Sequence, residues 1–297
     1  LTTGICRLCN LTKPLLKSHI IPKFIFTWLK KTSSTGRIRS SQNMNNPVQD
    51  GLKLPWLCSN CEELFSQFEK YFADNVFYPL HNGQKSVTYN STLLKYAVSI
   101  AWRVLNYQIE NNQTEHLNQS LLTTSTNALS TWHDYLFNKT NSLGEHEVHF
   151  YNFLVDIITP GSNLPTNIHR YLHRAVGFDL KANGTVAFIY IKLPGIIIIA
   201  YIMPFPYIKE LQKTKICINK GKIEPINGDF PQALWDIITE EAVKTEKLQS
   251  SISHKQQEKI DKLYRNNLPK SANSETIKVI SKDVKLFGAD AVFKKEE

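Results

Sequence analysis

The chain has 297 residues, of which 42% are hydrophobic and 21% charged, and its formal net charge is +9. That length admits two domains, or one domain with a small module attached, and the composition describes a soluble globular chain rather than a disordered one. The charge is lopsided: residues 1–60 carry nine lysines and arginines against Asp50 alone, a net of +8, which leaves 26 basic and 25 acidic residues for the remainder. A field concentrated at one end suits a phosphate backbone and predicts salt-dependent binding. The competing reading is a solvated basic surface.

Two Cys-x-x-Cys pairs frame the first quarter, Cys6 with Cys9 and Cys58 with Cys61. Together they supply four thiolates in a tetrahedron, the ligand set of a structural Zn²⁺. The first residues contain no long apolar stretch, so a secretory signal is not expected, and in a reducing cytoplasm paired thiols favour metal over disulfide. A disulfide, or unrelated core thiols, is the alternative. Between the pairs, residues 18–22 read as a strand ending at Pro22. Residues 23–31 read as a helix with Phe24, Ile25, Trp28 and Leu29 on one face. Residues 37–39 and 52–54 read as strands flanking a polar run over 40–50, the expected mobile part. The second pair leads into an amphipathic helix over 62–76, with Phe65, Phe68, Phe72 and Val76 on one stripe. Knuckle, hairpin and helix in that order describe a treble-clef zinc finger. Its cations Lys17, Lys23, Lys30, Lys31, Arg37, Arg39 and Lys53 are the candidate nucleic-acid contacts.

Residues 92–110 predict an amphipathic helix with Ser91 as N-cap, and 115–137 one or two more, carrying Leu117, Leu121, Leu122, Leu129, Trp132 and Leu136. Residues 138–144 read as a linker. Beyond it the period changes. The run 148–158 is apolar and β-rich, including Ile157 and Ile158, and 175–180 and 185–191 flank Asn183-Gly184, a strong hairpin signal. A second hairpin turns at Pro194-Gly195 into 196–203. Lys192-Leu193-Pro194-Gly195 interrupts the apolar run, which favours two buried strands over a membrane span. Residues 215–218 and 222–224 suggest a further hairpin. His146, His149, His169 and His173 would form a metal site only if their segments converged; Cys217 reads as a core thiol. Residues 231–266 are helical, a helical hairpin on the sheet by default, and strands are expected at 277–280 and 285–287.

Cys6-x-x-Cys9, then Ser18-His19-Ile20-Ile21-Pro22, then Leu57-Cys58-x-x-Cys61 resembles the zinc-bearing branch of the HNH (ββα-metal) endonucleases. The resemblance covers the first quarter. It implies that His19 is a general base that activates water, with a divalent Mg²⁺ or Mn²⁺ neutralising charge on the scissile phosphate. Where the family carries an acidic metal ligand before the histidine, this chain has Ser18. Where it carries a histidine-orienting asparagine, the chain has Lys53, and after the last cysteine it has Glu62. Glu62 is therefore the candidate metal-binding carboxylate, with Glu63, Glu69 or Asp50 as helpers. His19 hydrogen-bonded inside the finger, or acting as a substitute zinc ligand, is the non-catalytic reading.

The expected architecture is α+β: a treble-clef zinc module over 1–78, a helical region over 79–143, and over 144–297 a largely antiparallel sheet packed with helices. The expected function is a zinc-stabilised, metal-dependent DNA endonuclease of bacterial defence or mobile-element type. It acts on DNA or RNA in the cytoplasm, makes no membrane contact, and forms a homodimer or takes a protein partner through its C-terminal part. The alternative is a non-catalytic zinc module that binds nucleic acid or protein, with the C-terminal part carrying the main activity.

Overall fold

The computed structural model describes residues 2–111, 118–155, 164–183, 186–203, 209–226, 230–266 and 268–293. The chain is mixed helix and sheet, its sheets antiparallel, with four cysteines clustered at the N-terminal end.

Strands β1 (Thr2–Ile5) and β2 (Thr12–His19) pair with Ile5 opposite Thr12. The knuckle between them closes through Asn10 N–H to the Cys6 carbonyl, with Asn10 at φ 58°, a left-handed turn that asparagine tolerates. Helix α1 (Lys23–Lys31) follows Pro22, whose fixed φ suits the entry, and buries Ile25 and Leu29. Next come β3 (Ile38–Ser40) and β4 (Asn43–Val48), a hairpin across the polar stretch expected to be mobile. Its polar side chains need no core because the strands satisfy each other's backbone groups. Strand β5 (Lys53–Leu57) returns to β2, His19 opposite Lys53, completing the order β1-β2-β5.

Helix α2 (Ser59–Phe72) starts one residue after Cys58 and buries Cys61, Phe65, Phe68 and Phe72 on one stripe. It runs through a π turn at Ala73–Phe77 into α3 (Tyr78–His81). Pro79 has no N–H for the helical ladder, and the wide turn, closed by Tyr78 N–H to the Ala73 carbonyl, absorbs that break. After β6 (Val87–Asn90) comes α4 (Thr92–Glu110), buried nearly all round, as befits a central helix. The expected Ser91 cap is not made; Asn90 Oδ1 instead accepts from Thr92 N–H at 2.9 Å. Phe72 stacks on Tyr96 with centroids 3.9 Å apart, tying α2 to α4; such a pair contributes about 0.5–1.5 kcal/mol beyond its burial. Helix α5 (Gln119–Leu136) packs on α4 and is capped by Asn118 Oδ1, 2.9 Å from Leu121 N.

The larger sheet contains β7 (Val148–Asn152), then, after α6 (Ile168–Arg174), β8 (Gly177–Ala182), β9 (Ala187–Leu193) and β10 (Ile196–Tyr201), in the order β7-β10-β9-β8. The β9–β10 turn is the expected Pro194-Gly195, where Gly195 takes φ +66° and a Cβ would meet Leu154 at 2.3 Å. The largely apolar composition of β9 and β10 is explained by two buried faces. Ile189, Ile191, Ile196, Ile198 and Ala200 join the core around α4. Phe188, Tyr190, Ile197, Ile199 and Tyr201 join a second core under α6 and α7. Gly184, Leu117, Glu115, Ile157 and Ile158 lie outside the described residues.

Strand β11 (Lys220–Ile223) pairs with β6, not with 215–218 as expected. Lys215 makes only an isolated bridge to His149, and Cys217 is exposed rather than in the core. The C-terminal stretch is helical: α7 (Gln232–Ser250), α8 (His254–Arg265), α9 (Leu268–Ala272), α10 (Glu275–Phe287) and α11 (Ala289–Val292). Helix α10 replaces the two strands expected at 277–280 and 285–287. Ser274 caps it by accepting from Ile277 N–H, and Val279 and Asp283 are buried against α6. Among the described residues no helix is long and apolar enough to cross a membrane.

Candidate functional site

Two backbone features bring the cysteines together. The β1–β2 knuckle presents Cys6 and Cys9, and the start of α2 presents Cys58 and Cys61. Their four sulfur atoms all lie within 4.8 Å of one another, a group able to hold a metal ion such as zinc. Cys58 N–H points at Cys6 Sγ at 3.3 Å, and all four thiols are free. Burial opposes ionisation of Cys6, but N–H groups of Cys9, Cys58 and Leu8 outweigh it and bring the thiol down to about 7. Burial and the neighbouring sulfurs push Cys61 upward. A divalent cation relieves that crowding by taking all four as thiolates.

His19 ends β2 on the same small sheet. Its Nε2 lies 3.2 Å from Asp50 Oδ2, which also accepts from Lys53 Nζ at 3.2 Å. Nδ1 makes no hydrogen bond among the described residues, and the side chain remains 14% exposed, so its free nitrogen has access to water. His19 is not part of the sulfur group. Burial raises Asp50, but hydrogen bonds from His19 and Lys53 prevail and hold it below the ordinary carboxylate value.

Glu62 follows Cys61 on α2, and Ser18 Oγ donates to Glu62 Oε2 at 2.6 Å. One turn pair further along α2, Glu69 accepts from Arg103 Nη1 at 2.8 Å. Burial raises the Glu69 carboxyl, offset in part by Arg103. Arg103 projects from α4, is 2% exposed, and also donates from Nη1 to the His19 carbonyl at 2.7 Å. Its Nε donates to the Ser99 carbonyl at 3.3 Å, and its guanidinium lies 5.1 Å from the Phe65 ring centroid. Sequence reading missed this residue, although a lone arginine on a helix apolar all round has to find buried partners. Asp50, named only as a helper, is the direct partner of His19.

Of the candidate cations, Lys17, Lys23, Lys31, Arg37 and Lys53 are exposed. Lys30 is half-buried and donates to the Gln49 carbonyl at 2.6 Å. Arg39 is half-buried, and burial together with Arg37 lowers its pKa. The four histidines of the larger sheet region do not gather. His149 sits between Thr214 and Glu147, His169 pairs with Asp283, and His173 stacks on His169 with centroids 6.3 Å apart. Among the described residues the cysteine cluster is the one group of three or more potential metal ligands. Comparison with protein-family profiles, with curated proteins and with solved structures returns no match.

Proposed function

We propose that the N-terminal module is a treble-clef zinc finger of HNH type, and that it binds nucleic acid and hydrolyses phosphodiester bonds with His19 as general base. The observation that carries this reading is the His19–Asp50 pair. The carboxylate accepts from Nε2–H, fixing the tautomer that leaves the Nδ1 lone pair free. Water placed at Nδ1 gives up its proton to the ring, and Asp50 stabilises the imidazolium that forms. The exposed cations of residues 17–53 hold the phosphate backbone against this edge. Zn²⁺ on Cys6, Cys9, Cys58 and Cys61 fixes the knuckle to α2 and so sets the distance between β2 and the acidic turn at Glu62.

The residues near His19 do not assemble a second cation site as they stand. Glu62 is held by Ser18, Glu69 by Arg103 and Asp50 by Lys53, so no step here is routed through Mg²⁺ or Mn²⁺. Those same ties favour the second reading, a zinc module that binds without cutting.

His19→Ala decides between them. Alanine leaves the four thiols in place, so zinc content and melting should be unchanged. Cleavage of a supercoiled plasmid should fall about 10²–10⁴-fold, the usual contribution of a general base. Salt-dependent binding by a wild type that cuts neither DNA nor RNA, with any divalent metal, would leave the binding reading in place. Cleavage that survives in His19→Ala moves the chemistry elsewhere.

A further inference from the structure

The positive end of the molecule is not confined to the first sixty residues. Helix α8 carries Lys255, Lys259 and Lys262 at i, i+4 and i+7, so the three share one face. All three are exposed, and none has a hydrogen bond or ion pair among the described residues. Of the acidic groups of α8, Asp261 accepts from Gln257 at 2.8 Å, and Glu258, at the border of the lysine face, lies 3.4 Å from His254. Gln256 is buried, and Ile260, Leu263 and Tyr264 are half-buried on the side that faces the body.

The body at this point is the finger's own β3–β4 hairpin. Asn45 of β4 accepts from Ser253 N–H at 2.8 Å and donates to the Ser251 carbonyl at 3.4 Å, anchoring the N-terminal end of α8. Arg39 of β3 lies within electrostatic range of Tyr264, near the helix's other end. The N-terminal end of α8 is therefore tied to the hairpin that bears Arg39, with Arg37 just before it. Next to it, Glu275 N–H donates to the Thr32 carbonyl at 3.1 Å, just beyond Lys30 and Lys31.

We propose that α8 is a second phosphate-binding rail that continues the finger's basic surface, and that its ligand is the backbone of double-stranded nucleic acid. This rests on the nucleic-acid reading of the finger. The lysines are spaced about 6 Å and about 4.5 Å along the helix axis, a rigid row suited to the regular phosphates of a duplex. Single strands are held by stacking on exposed aromatics as well as by charge. The one aromatic of α8, Tyr264, is half-buried and turned inward.

The test is the salt dependence of binding by the zinc-loaded full chain to a labelled 30-base-pair duplex, a 30-nucleotide single strand and anionic phospholipid vesicles. The variant is the triple Lys255→Gln, Lys259→Gln, Lys262→Gln; the control, with equal charge loss on the β6–β11 side, is Lys85→Gln, Lys220→Gln, Lys222→Gln. Each neutralised phosphate contributes about 0.9 to the slope of log K against log salt. The α8 triple should therefore flatten the duplex slope by about 2–3 and weaken binding roughly 10–100-fold near physiological salt, while the control changes neither. All substitutions are at exposed positions, and an unchanged melt confirms folding. An unchanged slope in the α8 triple, an equal change in the control, or a loss seen only with single strands or only with vesicles overturns the proposal. If the α8 triple flattens the slope but wild type never cuts, the rail stands and the nuclease reading falls. If wild type cuts and the α8 triple binds normally, the rail falls and the nuclease reading stands.

Discussion

Arg103 sets the terms at the level of single side chains. It is a buried cation that joins Glu69 of α2 to the backbone of His19 on β2. Arg103→Met preserves length and apolar stem but leaves the Glu69 carboxylate without its partner, and breaking a buried pair from one side costs about 3–5 kcal/mol. Urea unfolding should show that loss, and Arg103→Met/Glu69→Leu should recover most of it. The four cysteines are legible in the sequence as a potential metal group because the spacing within each pair is local. Arg103 and Asp50 are not, because their partners are set by helix packing and by strand register across an insertion. The imidazoles give a second expectation at this scale. Burial lowers His81 to about 4 and also lowers His146, His149 and His173. A group whose folded pKa is depressed binds its proton first in the unfolded chain, so stability is complete above about 6.5 and lost as pH falls toward 4. Denaturation midpoints at pH 7.5, 6 and 5 should fall steadily, and His81→Phe should lessen the drop.

Elements show which signals win. Helix α4 follows its apolar period to the predicted residues. The stretch 277–280, rich in β-branched residues, reads as a strand, yet it lies in α10 because the Ser274 cap and the packing on α6 outweigh local propensity. Asp283 shows what that helix accomplishes. Fully buried, it accepts from His169 N–H at 2.8 Å, His169 Nδ1 at 3.0 Å, Arg170 N–H at 3.2 Å and Arg170 Nε at 3.0 Å. It supplies from α10 the cap that the first turn of α6 lacks. Asp283→Ala leaves these donors unpaired and should cost about 3 kcal/mol or more, read as a lower melting temperature with faster amide exchange in α6. Asp283→Asn should recover part of it.

For the molecule as a whole, one apolar cluster runs from Cys6 through α2 and α4 to the larger sheet and Ile223. Cys6, Cys58 and Cys61 are part of that cluster and Cys9 packs against it, so the four cysteines are not an appendix to it. If they hold a metal as proposed, removing it with a strong chelator should therefore lower the melting temperature of the main calorimetric transition rather than melt the first 75 residues as a separate early peak. A distinct early peak, with the main one unmoved, would show that the N-terminal module melts alone. The antiparallel sheet and its hairpin at Pro194-Gly195 are legible from alternation and turn chemistry. The brace between the N-terminal module and the C-terminal helices is not, because Asn45, Ser34 and Thr32 are ordinary polar residues until the chain brings their partners to them.

That brace has a consequence in time. Asn45 waits for Ser251 and Ser253, 206 and 208 positions later, and Ser34 pairs with Ser274 after 240. A ribosome adds about 5–20 residues per second, so on the order of 10–50 s separate the two halves of each contact. During that interval all four cysteines are already in the chain, while the β3–β4 hairpin still lacks its C-terminal partners. A metal taken by the four cysteines, as proposed, would therefore be bound before the N-terminal module receives its backing, together with the lysines of α8.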